Sequence, residues 1–167
     1  MARAALDQYR FEKILFMPTG NPRYRTPAAA SGEHRVAMLK LALDGEPSFE
    51  IDPRELAEAA SGYTLDTLKE LRLDYGAGTP LWLLMGADQY AKLDTWHRPD
   101  DVRKLARIAV FARPGWKIDA PGAEVIRLEP MNISASDIRA RVARGEEISP
   151  LVPTAVANYI AEHRLYA

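Results

Sequence analysis

Leu81-Trp82-Leu83-Leu84-Met85-Gly86 is the stretch on which the fold turns. Five apolar side chains follow one another and stop at a glycine. An amphipathic strand would alternate and a helix would repeat every three or four residues. An unbroken apolar run of this length is a strand covered on both faces. Residues 14–18 (ILFMP) read the same way and stop at Pro18-Thr19-Gly20. Residues 108–111 (IAVF) end at Arg113-Pro114-Gly115, residues 124–128 (EVIRL) make a weaker strand suited to an edge, and Phe49-Glu50-Ile51 is short. Helical periods separate these runs. Val36, Leu39 and Leu43 share a face, and so do Leu65, Leu68 and Arg72. Pro99 opens a helix with Asp100 and Asp101 in its first turn, where acids suit the dipole, and Val102 and Leu105 form its apolar side. Pro153 opens a last helix carrying Val156, Tyr159 and Ile160. Strand then helix, repeated, predicts a three-layer α/β fold with a mainly parallel sheet.

The chain has 167 residues, which predicts one domain over 1–167. Its 22 basic and 23 acidic side chains leave a net charge of -1. So even a balance supplies no overall field for a nucleic-acid backbone or an acidic membrane, and any anion must be held locally. There is no cysteine, hence no disulfide or thiolate metal site. The apolar runs are strand-sized, and the opening MARAALDQYRFEK lacks a signal-peptide core. A soluble cytoplasmic protein is the expectation.

Ile133-Ser134-Ala135-Ser136-Asp137-Ile138-Arg139 carries the most chemistry. Ser134 followed three residues on by Asp137 resembles a capping box. Ile138 and Val142 then share a face, and Gly145 is placed to stop the helix. The helix start offers backbone N–H groups, the two serines add hydroxyls, and Arg139 can fold back to grip an oxyanion in a fork. The same residues also describe a well-capped surface helix with a solvated arginine. Gly86 ends a strand at the sheet edge where α/β folds bind ligands, and Asp88 either accepts from a ribose hydroxyl there or caps the next helix. Trp96 either stacks on a flat ring or covers core. Thr64 is either a plain N-cap for a helix at 65–73 or part of a carboxylate site at that helix start. Arg23 and Arg25, in the loop 19–32 after the first apolar run, either cover phosphates or are solvated. His34, His97 and His163 are scattered along the chain without metal-ligand spacing, and His97 is expected at the surface.

Taken in order, these segments resemble the nicotinate-nucleotide adenylyltransferases of the nucleotidyltransferase superfamily. Residues 133–139 are similar to its I-S-x-S-x-I-R element. Gly86-Ala87-Asp88 with Trp96 is similar to its G-x-D segment and later tryptophan, and Gly62–Leu68 to S-Y-T-x-D-T-L with glycine for the serine. The resemblance implies a Rossmann-like fold and adenylyl transfer from ATP to nicotinic acid mononucleotide, with Mg2+ on the phosphates. It implies that Ser134, Ser136 and Arg139 hold the triphosphate, Gly86 and Asp88 the nucleotide, and Thr64 and Trp96 the nicotinate. Tyr24-Arg25 stands where the family usually has a histidine-lysine pair. The Tyr63-Thr64 and Trp96 segments count against a pantetheine-phosphate adenylyltransferase.

One part of the pattern is missing. The family's G-x-F-D-P-x-H-x-G-H run does not occur in these residues. The resemblance then implies a chain that starts late and lacks a first strand. In a 3-2-1-4-5 order that strand would lie between those at 14–18 and 81–86, so those two should not be hydrogen-bonded to each other. Such a chain is expected to keep some ATP affinity and little transferase activity. A non-catalytic nucleotide-binding protein is the alternative.

Overall fold

In a computed structural model, which describes residues 1–20, 28–112, 121–128 and 133–167, the run at 81–86 is a strand. The described elements are α1 (Ala2–Tyr9), β1 (Ile14–Phe16), α2 (Gly32–Ala42), β2 (Phe49–Ile51), α3 (Thr64–Tyr75), β3 (Trp82–Gly86), α4 (Ala87–Tyr90), α5 (Pro99–Leu105), β4 (Arg107–Phe111), β5 (Glu124–Ile126), α6 (Ala135–Ala143) and α7 (Thr154–Glu162), with single 3-10 turns at Arg54–Leu56 and Leu93–Thr95. Every strand pairing among them is parallel. The α/β alternation is as the sequence predicts. The strands form two sheets, β1-β2 and β3-β4-β5, so the runs at 14–18 and 81–86 belong to different ladders. The first of them closes at Phe16, ahead of Pro18, which has no N–H for a ladder. The turn expected at Arg113-Pro114-Gly115 lies outside the described residues.

The chain divides into two compact units, each made of two stretches. The first comprises residues 1–12 and 61–131. Its sheet has β4 in the centre, with Ile108, Ala109 and Val110 buried, as an unbroken apolar run requires. Strand β5 is at the edge, as its weaker pattern predicts. Helix α1 covers that edge: the Gln8 amide donates to the Arg127 carbonyl at 2.7 Å and accepts from its N–H at 3.1 Å. Tyr9 and Phe11 pack on Trp82 at the start of β3. Helix α3 buries Leu65, Leu68 and Leu71 and packs against α5, where Val102 is buried. Arg72, expected on that apolar face, has another task. Its guanidinium donates to the carbonyls of Gly76, Ala77 and Thr79, which leave the end of α3, and to that of Leu105 at the end of α5.

The second unit comprises residues 13–60 and 132–167. Helix α2 is the crossover between the parallel strands β1 and β2. Ser31 caps it, accepting from the His34 N–H at 3.3 Å. The core here is Ile148, Val156, Ile160 and Leu165, with Met38 of α2 and Ile138 and Val142 of α6 packed against it.

Candidate active site

In the sheet β3-β4-β5 the edge strand β3 and the central strand β4 end side by side at Gly86 and Phe111, so the carboxyl edge of this sheet is at Gly86. A Cβ on Gly86 would lie 2.6 Å from Oδ1 of Asp88, inside contact distance. The missing side chain is what lets the Asp88 carboxylate fold back over the strand end. Asp88 is exposed, and its other oxygen accepts from the Gln89 amide at 3.2 Å. Of the two readings open for Asp88, the cap is excluded by position. Gly86 is the N-cap of α4 and Asp88 is its second helical residue.

Beyond α4, the 3-10 turn at Leu93–Thr95 is anchored by Leu93, only 1% exposed. It delivers Trp96, partly buried, at its C-terminal boundary. His97 is exposed, and its ring stacks on that of Tyr63 with centroids 4.4 Å apart and planes 29° from parallel. Tyr63, not Thr64, is the N-cap of α3, and Thr64 is the first helical residue. The shift has a local cause. Tyr63 stays extended while its N–H donates to Ser61 Oγ at 3.2 Å, and its carbonyl already accepts from Asp66 N–H at 3.0 Å. The Asp66 carboxyl, in the first turn, is held below its ordinary range by hydrogen bonds from the Ser61 hydroxyl and from Lys69, with His97 adding to the pull. The Tyr63-Thr64 and Trp96-His97 segments therefore meet in space. The tyrosine–histidine stack was not visible in the sequence. Its signal was that an aromatic or imidazole ring flanks each of the two residues singled out.

The second group of site residues lies in the other unit. Ser134 is the N-cap of α6 and its Oγ accepts from the Asp137 N–H at 3.1 Å. Arg139 has folded back along the helix, and its Nη2 donates to Ser136 Oγ at 3.2 Å. Ser134, Ser136 and Arg139 are all exposed at one helix start. The Asp137 carboxylate is taken up by Arg141, one turn on, at 2.9 Å. Gly145 follows the end of α6 with φ of 70°, and its N–H returns to the Val142 carbonyl. Helix amides, two hydroxyls and a guanidinium on one helix are groups suited to an anion.

Arg23 and Arg25 lie outside the described residues. Two of the histidines, far apart in sequence, come together in the fold. His34 Nδ1 is 2.9 Å from the Tyr159 hydroxyl, and the His34 and His163 rings are 5.1 Å apart. Helix α7 brings Tyr159 and His163 to the start of α2, a contact between ends of the chain that spacing cannot reveal. Among the described residues, no three histidine or acidic side chains gather to hold a metal, and no helix is long and apolar enough to cross a membrane.

Comparison with known proteins identifies the family. The cytidylyltransferase-like family matches residues 1–141, through both units. A "probable nicotinate-nucleotide adenylyltransferase" of Laribacter hongkongensis is 41% identical, over 99% of this chain and 86% of its own. One of Bordetella petrii is also 41% identical, over 99% and 89%. Among solved structures, Plasmodium falciparum nicotinic acid mononucleotide adenylyltransferase complexed with NaAD superposes with a TM-score of 0.80. That match covers 99% of this chain and 89% of the other at 16% identity, which shows a common fold. With both sequence matches running nearly end to end, the chain belongs to the nicotinate-nucleotide adenylyltransferase family of cytidylyltransferase-like proteins.

Proposed function

We infer that this protein transfers the adenylyl group of ATP to nicotinic acid mononucleotide, giving deamido-NAD and pyrophosphate in NAD biosynthesis. The observation that carries the reading is the start of α6, where Arg139 lies folded onto Ser136 beside the Ser134 cap. A mononucleotide phosphate oxygen attacks the α-phosphorus of ATP. The new P–O bond forms as the bond to the β-phosphate bridging oxygen breaks, and pyrophosphate leaves with that electron pair. No covalent enzyme intermediate is needed, so the work of the site is positioning and charge stabilisation.

Ser134, Ser136 and Arg139 take the triphosphate. Gly86 lets the Asp88 carboxylate lie over the strand end, where the two meet the nucleotide and Asp88 accepts from its sugar hydroxyls. Thr64 and Trp96 take the nicotinate, the indole against the ring and the first amides of α3 toward the carboxylate. Arg23 and Arg25 serve the phosphates. Magnesium fits as a passenger on the substrate. It keeps several waters and binds phosphate oxygens more readily than an all-protein cage, and the donors at α6 are anion ligands. When bound it neutralises charge on the leaving pyrophosphate. The match through both units supports treating 1–167 as one nucleotidyltransferase domain, and the bacterial biosynthetic relatives support a cytoplasmic location.

Binding and turnover are tested separately. Calorimetry with magnesium-ATP and with nicotinic acid mononucleotide should give two saturable sites, and incubation of both should yield deamido-NAD and pyrophosphate in equal amounts. Binding of neither ligand sinks the reading. Binding without turnover removes the transferase and leaves a nucleotide-binding protein.

A further inference from the structure

The Tyr63–His97 stack is not used by the function as described, and its setting is unusual for a ring pair. Both rings are at the surface: Tyr63 is 37% exposed and His97 is exposed. The stack therefore buries only part of each ring. What it does is join two chain segments at a defined point. Tyr63 immediately precedes Thr64 at the start of α3, and His97 immediately follows Trp96.

The backbone around His97 is shaped to the same end. Arg98, the next residue, is left-handed at φ 53° and ψ 60°, a conformation non-glycine residues adopt rarely. Its side chain is fixed by Asp101, at 2.6 Å and 2.7 Å, in the first turn of α5. The sharp turn at Arg98 separates the direction of α5 from that of the Trp96-His97 segment. Such backbone strain persists only where surrounding contacts hold it.

We propose that the stacked Tyr63–His97 pair is a positioning device for the pyridine end of the substrate, fixing the Trp96 indole relative to the first amides of α3. This rests on the reading of Thr64 and Trp96 as the nicotinate half-site. Neither ring need touch the substrate. A flat ring held between an indole and a row of amides is recognised only if those two walls keep their separation, and the stack is the cross-brace between them. The pair therefore contributes to mononucleotide affinity and not to ATP affinity.

The test is calorimetry on the full chain with nicotinic acid mononucleotide and, separately, magnesium-ATP, for wild type, His97→Ala and His97→Phe, with a melting temperature for each. We expect His97→Ala to weaken the mononucleotide about tenfold, the scale of one lost aromatic pair. ATP affinity should stay within about twofold of wild type on the same scale. His97→Phe, which keeps a ring and removes the imidazole, should restore most of the loss. Three results would overturn the proposal: unchanged mononucleotide affinity in His97→Ala, equal weakening of both ligands, or His97→Phe as weak as His97→Ala. If wild type binds ATP but not the mononucleotide, the nicotinate half-site is itself wrong and this inference falls with it.

Discussion

Gly86 and Asp88 work as one residue in two parts, because the space a side chain would fill at the first is taken by the carboxylate of the second. The obstruction is the end of a flexible, exposed side chain, so Gly86→Ala moves the carboxylate more cheaply than it strains the strand. We expect the variant to melt close to wild type and to bind ATP several-fold more weakly, and Asp88→Asn to show a loss of the same kind. A large fall in melting temperature with unchanged nucleotide affinity would make Gly86 a packing residue. Arg139 asks a different question of the same ligand. A lysine keeps the charge but not the fork, so Arg139→Lys should lose ATP affinity by about tenfold or more. A lysine variant that binds as well as wild type would show that charge alone is read there. Trp96→Ala should raise the mononucleotide KM far more than the ATP KM. Equal effects would reduce the indole to a structural cover. The types of these residues were legible in the sequence; what Asp88 does was not. Whether it caps α4 depends on the backbone, which places it second in that helix, a difference of two residues that composition cannot resolve.

At the scale of elements, helix ends carry most of what can be checked. Ser134 caps α6 through one bond to Asp137 N–H, so Ser134→Ala should cost about 1 kcal/mol of stability, measured by denaturant unfolding. Ser136→Ala removes no cap and should leave stability almost unchanged while weakening ATP. Equal stability losses in the two would mean that α6 is held in some other way. The turn after β2 supplies a pH dependence. Burial alone would raise the Asp52 carboxyl, but hydrogen bonds from the Arg54 guanidinium and N–H, 2.8 Å and 3.1 Å, outweigh it and the carboxyl sits below its ordinary range. A carboxyl depressed in the folded state adds stability above its unfolded pKa, and that stability is lost as pH falls through the folded value. Wild type should therefore exceed Asp52→Asn in melting temperature at neutral pH, and the gap should close on acidification below about pH 4. A constant gap would mean the amide disturbs the turn for another reason. Sequence patterning found the strands at 14–18, 81–86 and 108–111 from their unbroken apolar runs; two-sided burial accounts for the run in β4, whereas β1 and β3 fully bury only Ile14 and Met85. It missed the true cap of α3, because the choice between Tyr63 and Thr64 is made by Ser61 reaching forward to one N–H. It placed Arg72 on an apolar face by period alone, since a spacing of four does not say that a guanidinium will turn to four carbonyls.

For the molecule as a whole, legibility followed contact distance along the chain. The parallel α/β class follows from local periods. The division into two sheets, the Tyr63–His97 stack and the His34–Tyr159 contact all join residues far apart in sequence, and a single sequence carries no partner list.

The two units alternate along the chain, the second taking residues 13–60 and 132–167. Strand β1, helix α2 and strand β2 are made early, yet the core on which α2 rests comes from Ile148, Val156, Ile160 and Leu165. On a ribosome, the first unit can draw its sheet together once β5 has left the exit tunnel. The earlier-made strands must wait until α7 has emerged, with Met38 lacking its neighbours throughout. Premature termination before α7 would thus spoil β1, α2 and β2 while leaving the later-made sheet intact, and any chaperone serving this protein would find its client in those three elements.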